Sequence, residues 1–166
     1  VKDSPGEARA VSCLFVSSRP IPRERVDMSA TPRPFQVRTI DHVTLVVGDL
    51  DRSRGFYVGL VGMAEVARPA FNFAGLWFQA GATQIHLIHA HDQSGPAGMV
   101  TPPVKASPGR VMHFAIEIDD ARNIVPWLKE QGVVVRGGPA LRPDGCVQVF
   151  CVDPDGHVVE LFSRPQ

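Results

Sequence analysis

Four polar side chains interrupt runs of apolar and β-branched residues in this sequence: His42, His86, His113 and Glu160. His42 sits in Ile40-Asp41-His42-Val43-Thr44-Leu45-Val46-Val47 and His113 in Val111-Met112-His113-Phe114-Ala115-Ile116. His86 lies in Ile85-His86-Leu87-Ile88, and Glu160 in Val158-Val159-Glu160-Leu161-Phe162. A carboxylate on an apolar strand is costly to bury unless a cation or hydrogen-bond donors compensate it. A glutamate can also face solvent on an edge strand, and a lone strand histidine is more often structural than a ligand. Three histidines and one glutamate are harder to dismiss. Imidazole and carboxylate together suit Zn, Ni, Co, Mn or Fe(II), and His42, His113 and Glu160 alone would make a two-histidine, one-carboxylate set. His86 and Glu160 are the candidate catalytic residues, with His86 either a fourth ligand or a proton-transfer base. Gln84 shares the expected face of His86 and competes for the ligand role.

The spacing implies a repeat. His42 and His113 are 71 positions apart (113 less 42), while His42 to His86 is 44 and His113 to Glu160 is 47. Each histidine-bearing run is followed by an acidic turn and a helical pattern, Gly48-Asp49-Leu50-Asp51-Arg52 in one case and Asp119-Asp120-Ala121-Arg122 in the other. A repeat of this length is a module rather than a solenoid unit.

The elements that must position these side chains follow from periodicity. In the first module strands are expected at about 40–47, 63–68, 71–79 and 83–89, with a helix over 51–60 capped by Asp49 or Asp51 and stopped by Gly59 or Gly62. In the second, strands are expected at about 111–118, 133–136, 145–152 and 157–162. Its helix falls near 120–131, with Ile124, Trp127 and Leu128 as the buried stripe and Pro126 as an interruption. Both halves read β-α-β-β-β. Asp153-Pro154-Asp155-Gly156 is a turn, because proline presets one dihedral and glycine accepts a positive one. Gly137-Gly138-Pro139 reads as loop punctuation, and His157, after a turn glycine, as exposed. His89 and His91 read as exposed loop histidines. Arg110 and Arg142 read as solvated loop arginines, each able to meet an anionic substrate group.

Composition narrows the function classes. Lysine plus arginine and aspartate plus glutamate number 17 each, which removes the electrostatic case for nucleic acid or an anionic membrane as partner. No apolar run reaches the roughly 20 residues of a membrane span. Three cysteines without metal or redox spacing fit a reducing, cytoplasmic setting. Residues 1–38, rich in proline and in unpatterned charge, are expected to be a poorly ordered extension, with Met28 as an alternative start. A single domain is expected over 39–166, built from modules at 39–90 and 110–164 joined by a proline- and glycine-rich loop.

The chain resembles the vicinal oxygen chelate superfamily, which includes glyoxalase I, methylmalonyl-CoA epimerase, extradiol dioxygenases, fosfomycin-resistance transferases and bleomycin-binding proteins. The resemblance is carried by Asp41-His42-Val43, by Asp49-Leu50-Asp51-Arg52-Ser53 through Phe56-Tyr57, by Leu60-Val61-Gly62-Met63, by His113-Phe114-Ala115-Ile116 and by Asp153 through Phe162. It implies an α+β fold in which paired βαβββ modules form a curved open sheet. It also implies a divalent metal held by His42, His86, His113 and Glu160 that takes two substrate oxygens. One departure matters: where this chain has His86, glyoxalase I carries a glutamate and the epimerase a glutamine.

These readings lead to a metal-dependent enzyme of the glyoxalase type, performing isomerase or lyase chemistry on a small oxygenated substrate. The alternatives are an Fe(II)-dependent ring-cleaving dioxygenase and a metal-free drug-binding protein. A homodimer is expected, because an open curved sheet leaves edges and apolar surface to cover.

Overall fold

The structure, a computed structural model, describes residues 36–98 and 106–165. The expected extension and the middle of the connecting loop therefore lie largely outside the described residues. From Arg38 onward the chain forms one compact unit.

Two four-stranded mixed sheets make up this α+β fold. The first contains β1 (His42–Val47), β2 (Ala64–Val66), β3 (Gly75–Ala80) and β4 (Thr83–His89), ordered β1-β4-β3-β2. The second contains β5 (His113–Glu117), β6 (Val135–Leu141), β7 (Val147–Val152) and β8 (Val158–Ser163), ordered β5-β8-β7-β6. The first and last strands of each half pair in parallel, and the other pairs are antiparallel. This is the expected β-α-β-β-β order, twice.

Helix α1 (Leu50–Arg54) begins at Asp49, whose side chain accepts from the Arg52 N–H. It widens into a π-helical stretch over Gly55–Leu60 and ends near Gly62, whose φ of +83° suits only glycine well. Helix α2 (Ile124–Glu130) starts later than the sequence suggests. That start places Pro126 in the first turn, where its missing N–H would have had no partner within the helix. Trp127 is 45% exposed and is not part of the buried stripe, which Leu128 carries instead.

A second difference concerns Gly137-Gly138-Pro139. The segment lies inside β6 rather than in a loop, and the β6–β7 register slips on either side of Gly137. β6 is an edge strand, which is where a sheet tolerates a proline. A Cβ at Gly138 would stand 2.4 Å from the Gln148 carbonyl oxygen, so the two strands approach closely only because a glycine is there.

One apolar core serves both halves. Val47, Phe56, Tyr57, Phe78 and Leu87 pack in the same cluster as Leu128, Val149, Cys151, Val159 and Leu161. The 153–156 turn ties the halves together in polar terms. Asp155 accepts from the Gly48 N–H at 3.0 Å, and Arg52 donates to the Pro154 carbonyl at 2.9 Å. Beneath the turn, Asp153 is buried and accepts four bonds: Tyr57 Oη and His157 Nδ1 at 2.8 Å each, and the backbone N–H groups of Asp155 and His157. Burial first, and the neighbouring Asp153 carboxylate second, push the Tyr57 hydroxyl well above the usual phenol range, so it stays a donor. His157 is therefore buried, not exposed. The Asp153 carboxylate creates a polar pocket that the bare sequence does not reveal. No helix among the described residues is long and apolar enough to cross a membrane.

Candidate functional site

Alternation along the strands puts the four candidate residues on the faces away from the shared core. The register pairs Thr44 with His86 and His86 with Trp77 in the first sheet, and Ala115 with Glu160 and Glu160 with Phe150 in the second. His42 and His86 come together, and so do His113 and Glu160. The two pairs do not merge. Among the described residues, no group of three or more His, Cys, Asp or Glu side chains is placed to hold one metal ion.

In the first pair, His42 stacks on His86 with ring centroids 3.9 Å apart and planes 17° from parallel. His42 Nδ1 lies 2.8 Å from Asp41 Oδ2, so its Nε2 is the free nitrogen. His86 Nε2 lies 2.8 Å from Gln84 Oε1, Gln84 Nε2 donates to Gln79 Oε1 at 2.7 Å, and Gln79 Nε2 donates to the Gly81 carbonyl at 2.8 Å. A backbone carbonyl can only accept, so the direction of the whole chain is fixed from that end. His86 must donate through Nε2, which leaves Nδ1 as the site of its lone pair. Gln84 uses both ends of its amide in this relay. In this arrangement it orients the His86 ring.

Burial, and secondarily the charge of His42, hold the His86 pKa below the usual value of 6.5. The unfolded chain then binds the extra proton more readily than the folded one. The stability this group contributes is complete above about pH 6.5 and is lost as the pH falls through and below that value. A ring-proton NMR titration of the metal-free protein is expected to place the His86 midpoint below that of a free histidine. A midpoint at or above 6.5 would mean that burial and the neighbouring His42 do not disfavour the charged ring.

In the second pair, His113 Nδ1 lies 2.8 Å from the Val111 carbonyl and Nε2 lies 3.2 Å from Glu160 Oε2. The carbonyl forces Nδ1 to carry the proton. In a neutral imidazole the Nε2 lone pair would then face a carboxylate oxygen that is also only an acceptor. A cation answers both, whether a second proton or a metal. Orienting a histidine by an Nδ1–H to carbonyl bond is what a metal-binding Nε2 requires. Glu160 is 6% exposed, and its other oxygen lies 3.3 Å from Arg142 Nη1. Arg142 is thus not a solvated loop arginine. It bridges Glu160 and Asp144, the latter at 2.7 Å. Phe150 meets the His113 ring edge-on at 5.5 Å.

The donor chemistry fits a divalent metal, two donors from each sheet: His42 and His86 from one, His113 and Glu160 from the other. Of the remaining histidines, His89 Nε2 lies 3.1 Å from the Gly48 carbonyl, and His91 Nδ1 accepts from the Gln93 N–H. Neither joins the four.

Residues 39–161 match the Glyoxalase/Bleomycin resistance protein/Dioxygenase superfamily. The chain belongs to that superfamily. A lactoylglutathione lyase of Neisseria meningitidis is 29% identical over 133 residues, which cover 74% of this chain and 88% of the relative. The methylmalonyl-CoA epimerase of Bos taurus mitochondria is 28% identical over 137 residues, 76% of each protein. A solved structure assigned to the glyoxalase family, from Bacillus anthracis, superposes with a TM-score of 0.61 at 26% identity, covering 80% of this chain and all of that one. Glyoxalase-superfamily relatives are thus named for lyase and epimerase chemistry, and the sheet topology described above is that of the superfamily. The Gln79–Gln84 relay and the Arg142–Glu160 contact have no visible mark in the sequence, because each depends on side chains brought together by strand pairing.

Proposed function

We propose that this protein is a metal-dependent enzyme of the glyoxalase type, working as a homodimer in which each site combines the His42–His86 face of one copy with the His113–Glu160 face of the other. Its reaction is an isomerisation or lyase step on a small oxygenated substrate. The observation that carries the reading is the His113–Glu160 contact: a buried carboxylate and an imidazole lone pair converge where a cation is needed. The division of four donors into two pairs, with no group of three among the described residues, supports completion by a second copy. Ile40 and Met112, beside the two histidine-bearing strands, are 70% and 78% exposed, and a dimer would cover them.

A divalent metal held by His42, His113 and Glu160, with His86 beside it, would supply Lewis-acid polarisation of a substrate carbonyl. The protein's own groups handle the proton. His86 is neutral and offers Nδ1, so it can take a proton from the carbon next to that carbonyl and return it to the neighbouring position. Its Nε2–H remains anchored to Gln84, which keeps the ring oriented during the transfer. Arg142, 3.3 Å from Glu160 Oε1, holds that carboxylate in place.

Elemental analysis of the purified protein, before and after chelation, is the direct test. About one divalent ion per chain is expected, because two shared sites per dimer serve two chains. Protein that retains none, and binds none of Zn, Ni, Co, Mn or Fe(II) at neutral pH, would hand the lead to a metal-free binding function.

A further inference from the structure

The side chains next to His86 form a structure that the metal reading does not use. Trp77 lies flat on His86, with rings 4.0 Å apart and 4° from parallel. Phe71 follows at 6.2 Å from Trp77, and Phe73 at 5.3 Å from Phe71. Arg68 sits over this pair, its guanidinium carbon 4.7 Å from the Phe71 ring centre and 4.8 Å from that of Phe73. One of its N–H groups donates to the Phe73 carbonyl at 2.9 Å. The stem crosses Gly75, where a Cβ would stand 3.2 Å from Arg68 Nε and 2.3 Å from the Leu87 carbonyl oxygen. The close approach of the Leu87 carbonyl requires a glycine there, and its bare Cα also leaves room beside the arginine.

Arg68 is therefore half-buried, held in one orientation, and pairs with no carboxylate among the described residues. A guanidinium carries five N–H donors in a fixed fork, and the Phe73 carbonyl uses one side of it. The cavity bounded by Arg68, Phe71, Phe73, Trp77 and His86 is about 80 Å³. That is smaller than the roughly 150 Å³ that encloses a benzene ring, so a ring would lie on the aromatic rim rather than inside.

We propose that this face binds a planar aromatic carboxylate, its ring stacked against Trp77 and Phe71 and its carboxylate paired with Arg68. The substrate class is then aryl acids, not flexible peptide thiols or acyl thioesters. Stacking supplies the area and the arginine fork supplies the charge. The inference rests on the proposed function only in assigning the His86 face to substrate, and its test needs no metal.

Trp77 and Trp127 are the two tryptophans of the chain. A Trp127→Phe protein thus reports from Trp77 alone, through one indole N–H resonance. Chelated protein would be titrated with 2-naphthoate, with 2-naphthylmethanol, which has the rings without the charge, and with cyclohexanecarboxylate, which has the charge without the rings. The naphthoate is expected to bind at least about tenfold more tightly than either. Arg68→Met should erase its advantage over the alcohol and leave the alcohol's affinity and the protein's metal content unchanged. Phe71→Leu, at an exposed position, should weaken both naphthyl probes and spare the cyclohexane acid. Equal binding of all three probes, binding of none, or an unaltered naphthoate affinity in Arg68→Met would overturn the proposal. A Glu160→Gln protein that loses metal but binds naphthoate normally would show that the two readings stand or fall separately.

Discussion

Refolding a His42→Ala/His86→Ala protein together with a Glu160→Gln protein is expected to restore about a quarter of the wild-type metal content, although neither variant retains metal alone. The figure follows from random pairing. Half of the dimers would be mixed, and each mixed dimer would hold one intact and one doubly damaged site. Glu160→Gln by itself should weaken metal binding by more than about 100-fold, because a neutral amide replaces an anionic ligand in a poorly solvated place. The substitution also leaves Arg142 facing an uncharged partner across 3.3 Å. Mixed dimers confirmed by mass but devoid of metal would sink the shared site. A single chain that holds metal as a monomer would do the same.

The other large effect belongs to Asp153. Asp153→Ala removes the acceptor of four hydrogen bonds at a fully buried carboxylate and leaves the Tyr57 hydroxyl, the His157 ring and two backbone N–H groups without a partner. Each buried donor left unsatisfied costs about 1–3 kcal/mol, with partial relief from entering water. A net loss of about 3–5 kcal/mol is therefore expected, read as a lower midpoint in urea with little change in slope. Tyr57→Phe removes one donor and leaves the others in place, so about 1–2 kcal/mol is expected there. Equal and small effects for both would mean that the turn is held by packing and not by the carboxylate.

Much of the fold was readable because its signals are local. β4 is found at Thr83–His89, as the alternation of Gln84, His86 and Ile88 against Ile85, Leu87 and His89 indicates. Asp49 caps α1 because a carboxylate just before an apolar periodic run has a nearby N–H to accept from. What the sequence hid depends on partners far along the chain. His157 reads as exposed until Asp153 and Tyr57, 96 positions apart, are seen to bond. Arg142 reads as solvated until β8 brings Glu160 to it. Gly137-Gly138-Pro139 reads as a loop because a bulged edge strand and a loop use the same residue types. At the site, the residue types and strand positions were legible, and so was the symmetry. The division of the four into two pairs was not, since it is a property of how whole modules are set, and no residue type encodes it.

The parallel pairing of the first and last strand in each half has a consequence for the order of assembly. β1 finds its register against β4 only across the intervening helix and hairpin, and β5 waits in the same way for β8. These are the longest closures within each half, and closures across long separations are slow. They are also the steps that set His42 against His86 and His113 against Glu160. Until the last strand of a half has docked, a nascent chain offers its donors singly and cannot chelate through them. If these four side chains are the metal donors proposed above, each half would present its pair of donors only after its own last strand has docked.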